Sequence, residues 1–208
     1  MDFETQIKEL CATAKGPYRR PFVPNTKWAS ANVFIIGTNP ATPLRKEFAS
    51  FDEYWNGLTA RPEVFEKHYS AKHGGEASKT TKNIRKLVEL LQPLNCLVTN
   101  VSWYPAKTKK EIPDAEWQLG KCALKTLISH CRPSVLFCHG QPAEEFAQWL
   151  GASVDRYALP ETQEFVMNGM LILAFHHLSG MGIRGAPFDL PSALQHFTAT
   201  IERHVRAL

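Results

Sequence analysis

The sequence predicts an α/β protein: a single three-layer α/β/α domain around a central, mostly parallel four-stranded sheet. Three observations predict it. Four short β-favouring apolar runs alternate with segments of helical periodicity. The first run, Val33-Phe34-Ile35-Ile36, is apolar at successive positions, the pattern of a strand buried on both faces. The composition, 44% hydrophobic and 21% charged over 208 residues, is that of a globular chain large enough to bury a core. Parallel strands need crossovers, and right-handed crossovers put helices on both faces of the sheet. At roughly 100–200 residues per domain, residues 1–208 read as one domain without a linker.

Each element has its own signal. Phe3, Ile7, Leu10 and Ala14 recur at helical spacing up to Lys15-Gly16-Pro17, and Tyr18 to Pro24 is a Pro-rich loop. The first strand, from Asn32, ends at Gly37. Thr38 to Ser78 is a long variable stretch rich in aromatics, with a loop at His73-Gly74-Gly75. A helix marked by Ile84, Leu87, Val88 and Leu91 is entered through Ser78, Thr80 or Thr81 and ends near Pro93. Cys96 to Val101 is the second strand. Pro113-Asp114 opens a helix with the stripe Trp117, Leu124, Leu127, Ile128 and Cys131. Ser134 to Cys138 is the third strand, followed by a helix with Ala143, Phe146, Ala147 and Leu150 inward. Leu171 to Phe175 is the fourth strand, and the last helix carries Leu194, Phe197, Ile201 and Val205.

Composition excludes several function classes. No run of 18 apolar residues is present and the N-terminus lacks the basic start and apolar stretch of a signal peptide, so a soluble, cytoplasmic protein is expected. The five cysteines are odd in number and include no CxxC pair, which argues for reduced, mostly buried thiols. The net charge of +4 decides nothing, but its distribution is uneven. Nine basic residues against two acidic ones lie between Lys67 and Lys110, while Pro133 to Leu208 holds four against seven. A basic middle third fits either a solvated face or a phosphate-rich partner.

Ligands of open parallel sheets bind outside the carboxyl ends of the strands. Those ends carry Gly37-Thr38-Asn39-Pro40-Ala41-Thr42, Thr99-Asn100-Val101-Ser102, His139-Gly140-Gln141-Pro142-Ala143 and His176-His177-Leu178-Ser179-Gly180-Met181-Gly182. All four are polar, and none offers a carboxylate. One Asn after a strand is usually a turn former and one His usually packs. Four coincident polar ends are hard to explain by packing, because buried amides and imidazoles cost stability without partners.

Gly37-Thr38-Asn39-Pro40-Ala41 resembles the first motif of the uracil-DNA glycosylase superfamily, Gly-x-(Asp/Asn/Glu)-Pro after the first core strand. His177-Leu178-Ser179-Gly180-Met181-Gly182 is similar to the second, with Leu178 where Pro is usual. Thr99-Asn100-Val101 resembles the strand end whose Asn reads the base, and Val135 to Ala143 the apolar strand and Gly before the next helix. The ordered set spans Asn32 to Arg184 and is closest in style to the mismatch-specific and single-strand-selective branches.

The resemblance implies a monofunctional DNA glycosylase that binds DNA, turns a base out of the helix and hydrolyses its N-glycosidic bond. Asn39 would position water, and His177 would donate to the base carbonyl that gathers negative charge. Asn100, with a donor and an acceptor, would read a pyrimidine edge. Thr38 and Ala41 would line the base. Phe51 would stack on it, with Phe48 and Tyr54 close enough in sequence to compete and core packing as the alternative for Phe51. Met181, between Gly180 and Gly182, would fill the vacated stack. Ser179, Gln141, Gly140 amides, Arg184 and Lys107 would hold phosphates, with Lys109 and Lys110 adding attraction.

Uracil-specific members carry a Tyr where this chain has Ala41, so tolerance of 5-substituted or modified pyrimidines is expected, in repair or in defence against phage DNA. Cys122 falls where one ligand of the cluster found in some relatives would lie, but the other spacings are missing. No iron-sulfur cluster, metal, cofactor or membrane is expected, and the protein is expected to be a monomer. The neighbours His176 and His177 point opposite ways on an extended backbone and are poor joint ligands for zinc with His139 and Cys138. Two other readings stand beside this one: a weakly catalytic nucleic-acid-binding module with the same fold, and a hydrolase of free nucleosides.

Overall fold

The computed structural model describes residues 2–74, 76–158, 165–183, 186 and 188–208. Its helices are α1 (Phe3–Cys11), α2 (Phe51–Thr59), α3 (Pro62–His73), α4 (Lys79–Leu90), α5 (Asp114–Cys131), α6 (Gln141–Trp149) and α7 (Leu190–Arg206). Its strands are β1 (Val33–Gly37), β2 (Cys96–Asn100), β3 (Val135–His139), β4 (Phe165–Met167) and β5 (Met170–Phe175). They form one sheet in the order β2-β1-β3-β5-β4. β1 pairs with β3 and β3 with β5 in parallel, Val33 opposite Val135 and Val135 opposite Leu171, whereas β4 runs antiparallel to β5.

The mostly parallel α/β class is as expected, but the sheet has five strands rather than four. The extra one, β4, reaches β5 through Asn168 and Gly169, both at positive φ. Two positive-φ residues suit the primed turns that join antiparallel strands, and Asn-Gly is their commonest pair.

The chain divides into two compact units that interleave along the sequence. One comprises Met1–Ser30, Thr38–Glu76 and Thr99–Arg132; the other comprises Ala31–Gly37, Ala77–Val98 and Pro133–Leu208. Because neither is a continuous segment, no change of composition marks a boundary.

The second unit is layered. Val33, Ile35, Val135, Phe137, Leu171, Leu173 and Phe175 join Leu87 and Leu91 of α4 and Leu194, Phe197 and Ile201 of α7 in one buried cluster. Alternate residues of the same strands, Phe34, Ile36, Leu136, Cys138, Ile172 and Ala174, point to the opposite face. There α6 packs on β1, β3 and β5 with Ala143, Phe146 and Ala147 buried. Phe197 makes edge contacts with Phe137 and Phe175, ring centroids 4.9 Å apart in each case. Ser78 is the cap of α4, its side chain accepting from the Thr81 N–H.

The first unit is built on aromatics and on Arg19. Trp28 packs against Phe3, Phe22 and Trp55, and Tyr54 against Tyr18, Phe48 and Phe65. Arg19 donates twice to Glu116 of α5, at 2.6 and 2.7 Å, and once to the Leu10 carbonyl of α1. The variable stretch from Thr38 therefore contains two helices, α2 and α3, packed on each other. α1 stops at Cys11 because Ala12 is extended, short of the Ala14 that periodicity includes. All five cysteines are free; Cys11 and Cys138 are buried, Cys96 and Cys131 half-buried, and Cys122 is exposed, so fewer are fully buried than the expectation of mostly buried thiols. Among the described residues no helix is long and apolar enough to cross a membrane.

Candidate active site

Strands β1, β3 and β5 run the same way, so Gly37, His139 and Phe175 stand at one end of the sheet, His139 directly beside Phe175. Beyond β5 the chain forms a hydrogen-bonded turn around one imidazole. His177 is half-buried, and its Nδ1 faces both the hydroxyl of Ser179 at 2.8 Å and the backbone N–H of Ser179 at 3.2 Å. An amide N–H can only donate, so Nδ1 carries a lone pair and the ring proton sits on Nε2. Burial lowers the pKa of His177, which favours that neutral form. The turn thus presents an uncharged N–H donor.

Leu178 is fully buried in the core cluster, and its carbonyl accepts from Asn83 Nδ2 of α4 at 2.7 Å. Packing and that bond pin the turn.

His139, the last residue of β3, is buried with its ring edge-on to His177, centroids 5.5 Å apart. Its Nδ1 has no hydrogen-bond partner among the described residues. Burial, and then the neighbouring His177, push its pKa down to about 3, so it is neutral. Gly140 follows at φ +84°, and a Cβ on it would come within 3.3 Å of His177 Cδ2. Its backbone N–H donates to the Phe175 carbonyl at 2.8 Å, which corrects the expectation that this amide holds a phosphate. The hydroxyl and amide of Ser179 are likewise turned to His177.

The amides lie in the first unit. Asn39 Nδ2 donates to the carbonyls of Ala106, at 2.6 Å, and Pro40, at 3.1 Å. Two carbonyl neighbours fix which end of the amide faces them, and Oδ1 is left as an acceptor. Asn100, the last residue of β2, is half-buried and makes no side-chain hydrogen bond among the described residues. The segment after it is held to the segment after β1: Ser102 N–H donates to the Thr38 carbonyl at 3.0 Å, and Ala106 N–H to Pro40 at 2.9 Å. Thr38 is half-buried and Ala41 exposed.

The three competing aromatics separate by burial. Phe48 and Tyr54 are core, Tyr54 donating its hydroxyl to the Arg19 carbonyl at 3.1 Å. Phe51, first residue of α2, is half-buried against Tyr18. It alone of the three is not fully buried.

Neither a scan against protein-family models nor a search of curated proteins finds a match to this chain.

The remaining expected contacts are mostly at the surface. Met181 is 69% exposed, between Gly180 at φ +85° and Gly182 at φ +90°. Gln141, exposed at the start of α6, donates to Glu145 at 2.9 Å. Lys107 is exposed, while Lys109 lies over the Trp117 ring at 4.8 Å. Arg184 lies outside the described residues. Among the described residues no three His, Cys, Asp or Glu side chains are grouped to hold a metal ion.

One group of residues escaped the sequence reading. Glu144, one turn into α6, is a buried carboxylate that directly follows the His139–Ala143 segment in sequence. It is engaged by the Arg156 guanidinium and, at 3.1 Å, by the Arg156 N–H. Arg156 in turn bonds Tyr157, whose ring meets His176. Glu144 and Arg156 are twelve residues apart, and neither lies in a spacing that sequence alone would connect.

Proposed function

We propose that this chain is a monofunctional DNA glycosylase that hydrolyses the N-glycosidic bond of a base turned out of DNA, a uracil or a 5-substituted pyrimidine. The observation that carries the reading is the fixed tautomer of His177: a neutral imidazole with Nδ1 occupied and Nε2–H free is the donor that a departing pyrimidine anion needs at its carbonyl oxygen. A donor aimed at developing charge in a water-poor site commonly contributes about 3–4 kcal/mol to the barrier.

The two amides complete the chemistry. With its NH₂ spent on the Ala106 and Pro40 carbonyls, Asn39 offers only Oδ1, an acceptor that orients a water without deprotonating it. The water attacks C1′ as the C–N bond breaks, the bonding electrons leave with the base, and the proton released from the water passes to solvent. Asn100, free of internal bonds, supplies the donor and acceptor for one pyrimidine edge. Leaving-group stabilisation dominates, because no strong base takes part. Phe51 stacks on the base, and Thr38 and Ala41 line it. Met181 occupies the gap left in the helix, and Gln141, Lys107 and Arg184 contact the backbone. Five free thiols suit a reducing compartment, and the reading puts the activity in the cytoplasm.

The test is release of base from duplex and single-stranded oligonucleotides carrying uracil, mismatched thymine or a modified cytosine, scored as alkali-cleavable abasic sites. Release by the wild-type protein, lost in His177→Ala, supports the reading. DNA binding with no abasic product from any substrate would replace it with a binding module.

A further inference from the structure

Tyr157 is an aromatic side chain that is 61% exposed and nevertheless held from two sides. The guanidinium of Arg156 lies over its ring, 4.5 Å from the centroid, and Arg156 Nη2 donates to its hydroxyl at 2.7 Å. Its backbone N–H donates to Asp155 Oδ1 at 2.9 Å. Arg156 is itself anchored on the buried carboxylate of Glu144. The ring then meets His176 edge to face, centroids 4.7 Å apart and planes 82° apart.

His176 links this aromatic to the Met181 turn. A Cβ placed on Gly182 would lie 2.7 Å from His176 Nδ1, so the backbone at Gly182 rests directly on the imidazole. The exposed Tyr157 ring and the Gly182 backbone, next in sequence to the exposed Met181, therefore meet the same buried histidine, which immediately precedes His177. Fixing an exposed ring in advance lowers the entropy lost when something flat is laid on it. Because Glu144 offsets Arg156, the platform attracts by stacking rather than by charge.

Resting on the glycosylase reading above, we propose that Tyr157 is a stacking platform for an unpaired nucleobase of the bound strand, beside the Met181 turn. Every base has a π-face, so such a contact strengthens binding without selecting sequence. It also leaves the salt dependence of binding unchanged, since no phosphate is neutralised.

The experiment is fluorescence anisotropy with a labelled single-stranded oligonucleotide, on wild type, Tyr157→Ala and Tyr157→Phe, at two salt concentrations, with base release measured in parallel. Tyr157→Ala is expected to weaken binding about tenfold with the salt slope of wild type, and Tyr157→Phe to stay within about twofold of wild type. Equal affinity of Tyr157→Ala and wild type overturns the platform. So does equal loss in Phe and Ala, which would mark the hydroxyl bond to Arg156 as the part that matters. A wild-type protein that binds no oligonucleotide overturns both the platform and the glycosylase reading. Binding that Tyr157→Ala weakens, with no base released by any variant, supports the platform and removes only the glycosylase reading.

Discussion

Ser179 holds His177 by two atoms at once, its hydroxyl and its backbone N–H both meeting the imidazole Nδ1. The backbone donor fixes the tautomer and the hydroxyl adds a second bond to the same lone pair. Removing the hydroxyl alone should therefore weaken orientation without changing the protonated nitrogen. Ser179→Ala is expected to slow single-turnover base release about tenfold, and His177→Ala by about 10²–10³-fold, the cost of one preorganised donor. Equal losses in the two variants would show that the hydroxyl, and not the imidazole, is what the reaction uses.

Acid should destabilise the fold through its buried imidazoles. Burial lowers the pKa of His139 to about 3, and His176 and His177 are also lowered, chiefly by burial. Between the ordinary histidine value near 6.5 and these lower values, the unfolded chain binds protons that the folded chain does not. Their contribution to stability is then unchanged above about pH 6.5 and falls as pH drops from there; for the fully buried His139 the fall is at most about 1.4 kcal/mol per pH unit, down to about pH 3. Urea titrations at pH 7 and pH 4.5 check this; His139→Gln should flatten part of the slope. An undiminished midpoint at pH 4.5 would contradict it.

Gly182 has two reasons to be glycine. Its φ of +90° is strained for any side chain, and a Cβ would meet His176 Nδ1 at 2.7 Å. Gly182→Ala is expected to lose about 1–3 kcal/mol of stability, measured by denaturant unfolding. It should also reduce duplex binding by displacing the Met181 turn.

Ala41 tests specificity. The residue is exposed and ends at Cβ; on the proposed reading it leaves room for a substituent at pyrimidine C5. Ala41→Tyr should leave uracil release within a few fold of wild type and abolish release of 5-substituted pyrimidines. Unchanged preference across that panel would remove Ala41 from the base-binding residues.

The fold was legible where burial is two-sided. β1 and β3 are buried at every position, so their apolar runs stand out, and α4 and α7 show their stripes because one face packs on the sheet. β4 escaped because it is three residues long and at the sheet edge, half-exposed; its one strong signal is the Asn168-Gly169 turn after it. α2 and α3 were hidden by their aromatics, whose partners come from the Tyr18–Phe22 loop, the Trp28 segment and each other rather than from one regular stripe.

Site residues obeyed the same logic. The polar strand ends and the Met181 turn could be read from sequence because strand direction and paired glycines locate them. The Glu144–Arg156–Tyr157–His176 chain could not, since only the folded backbone brings those four together. Nor could the inward engagement of Ser179 and the Gly140 amide, which depends on the path of the turn after β5.

The most direct measurement is single-turnover release of uracil from an oligonucleotide by wild type, Asn39→Ala and His177→Ala, each first shown to fold by its denaturation midpoint. Abasic product from wild type, with both variants at least about a hundredfold slower, is the expected result. Full activity in both folded variants would contradict the assignment of water and leaving group to these two side chains.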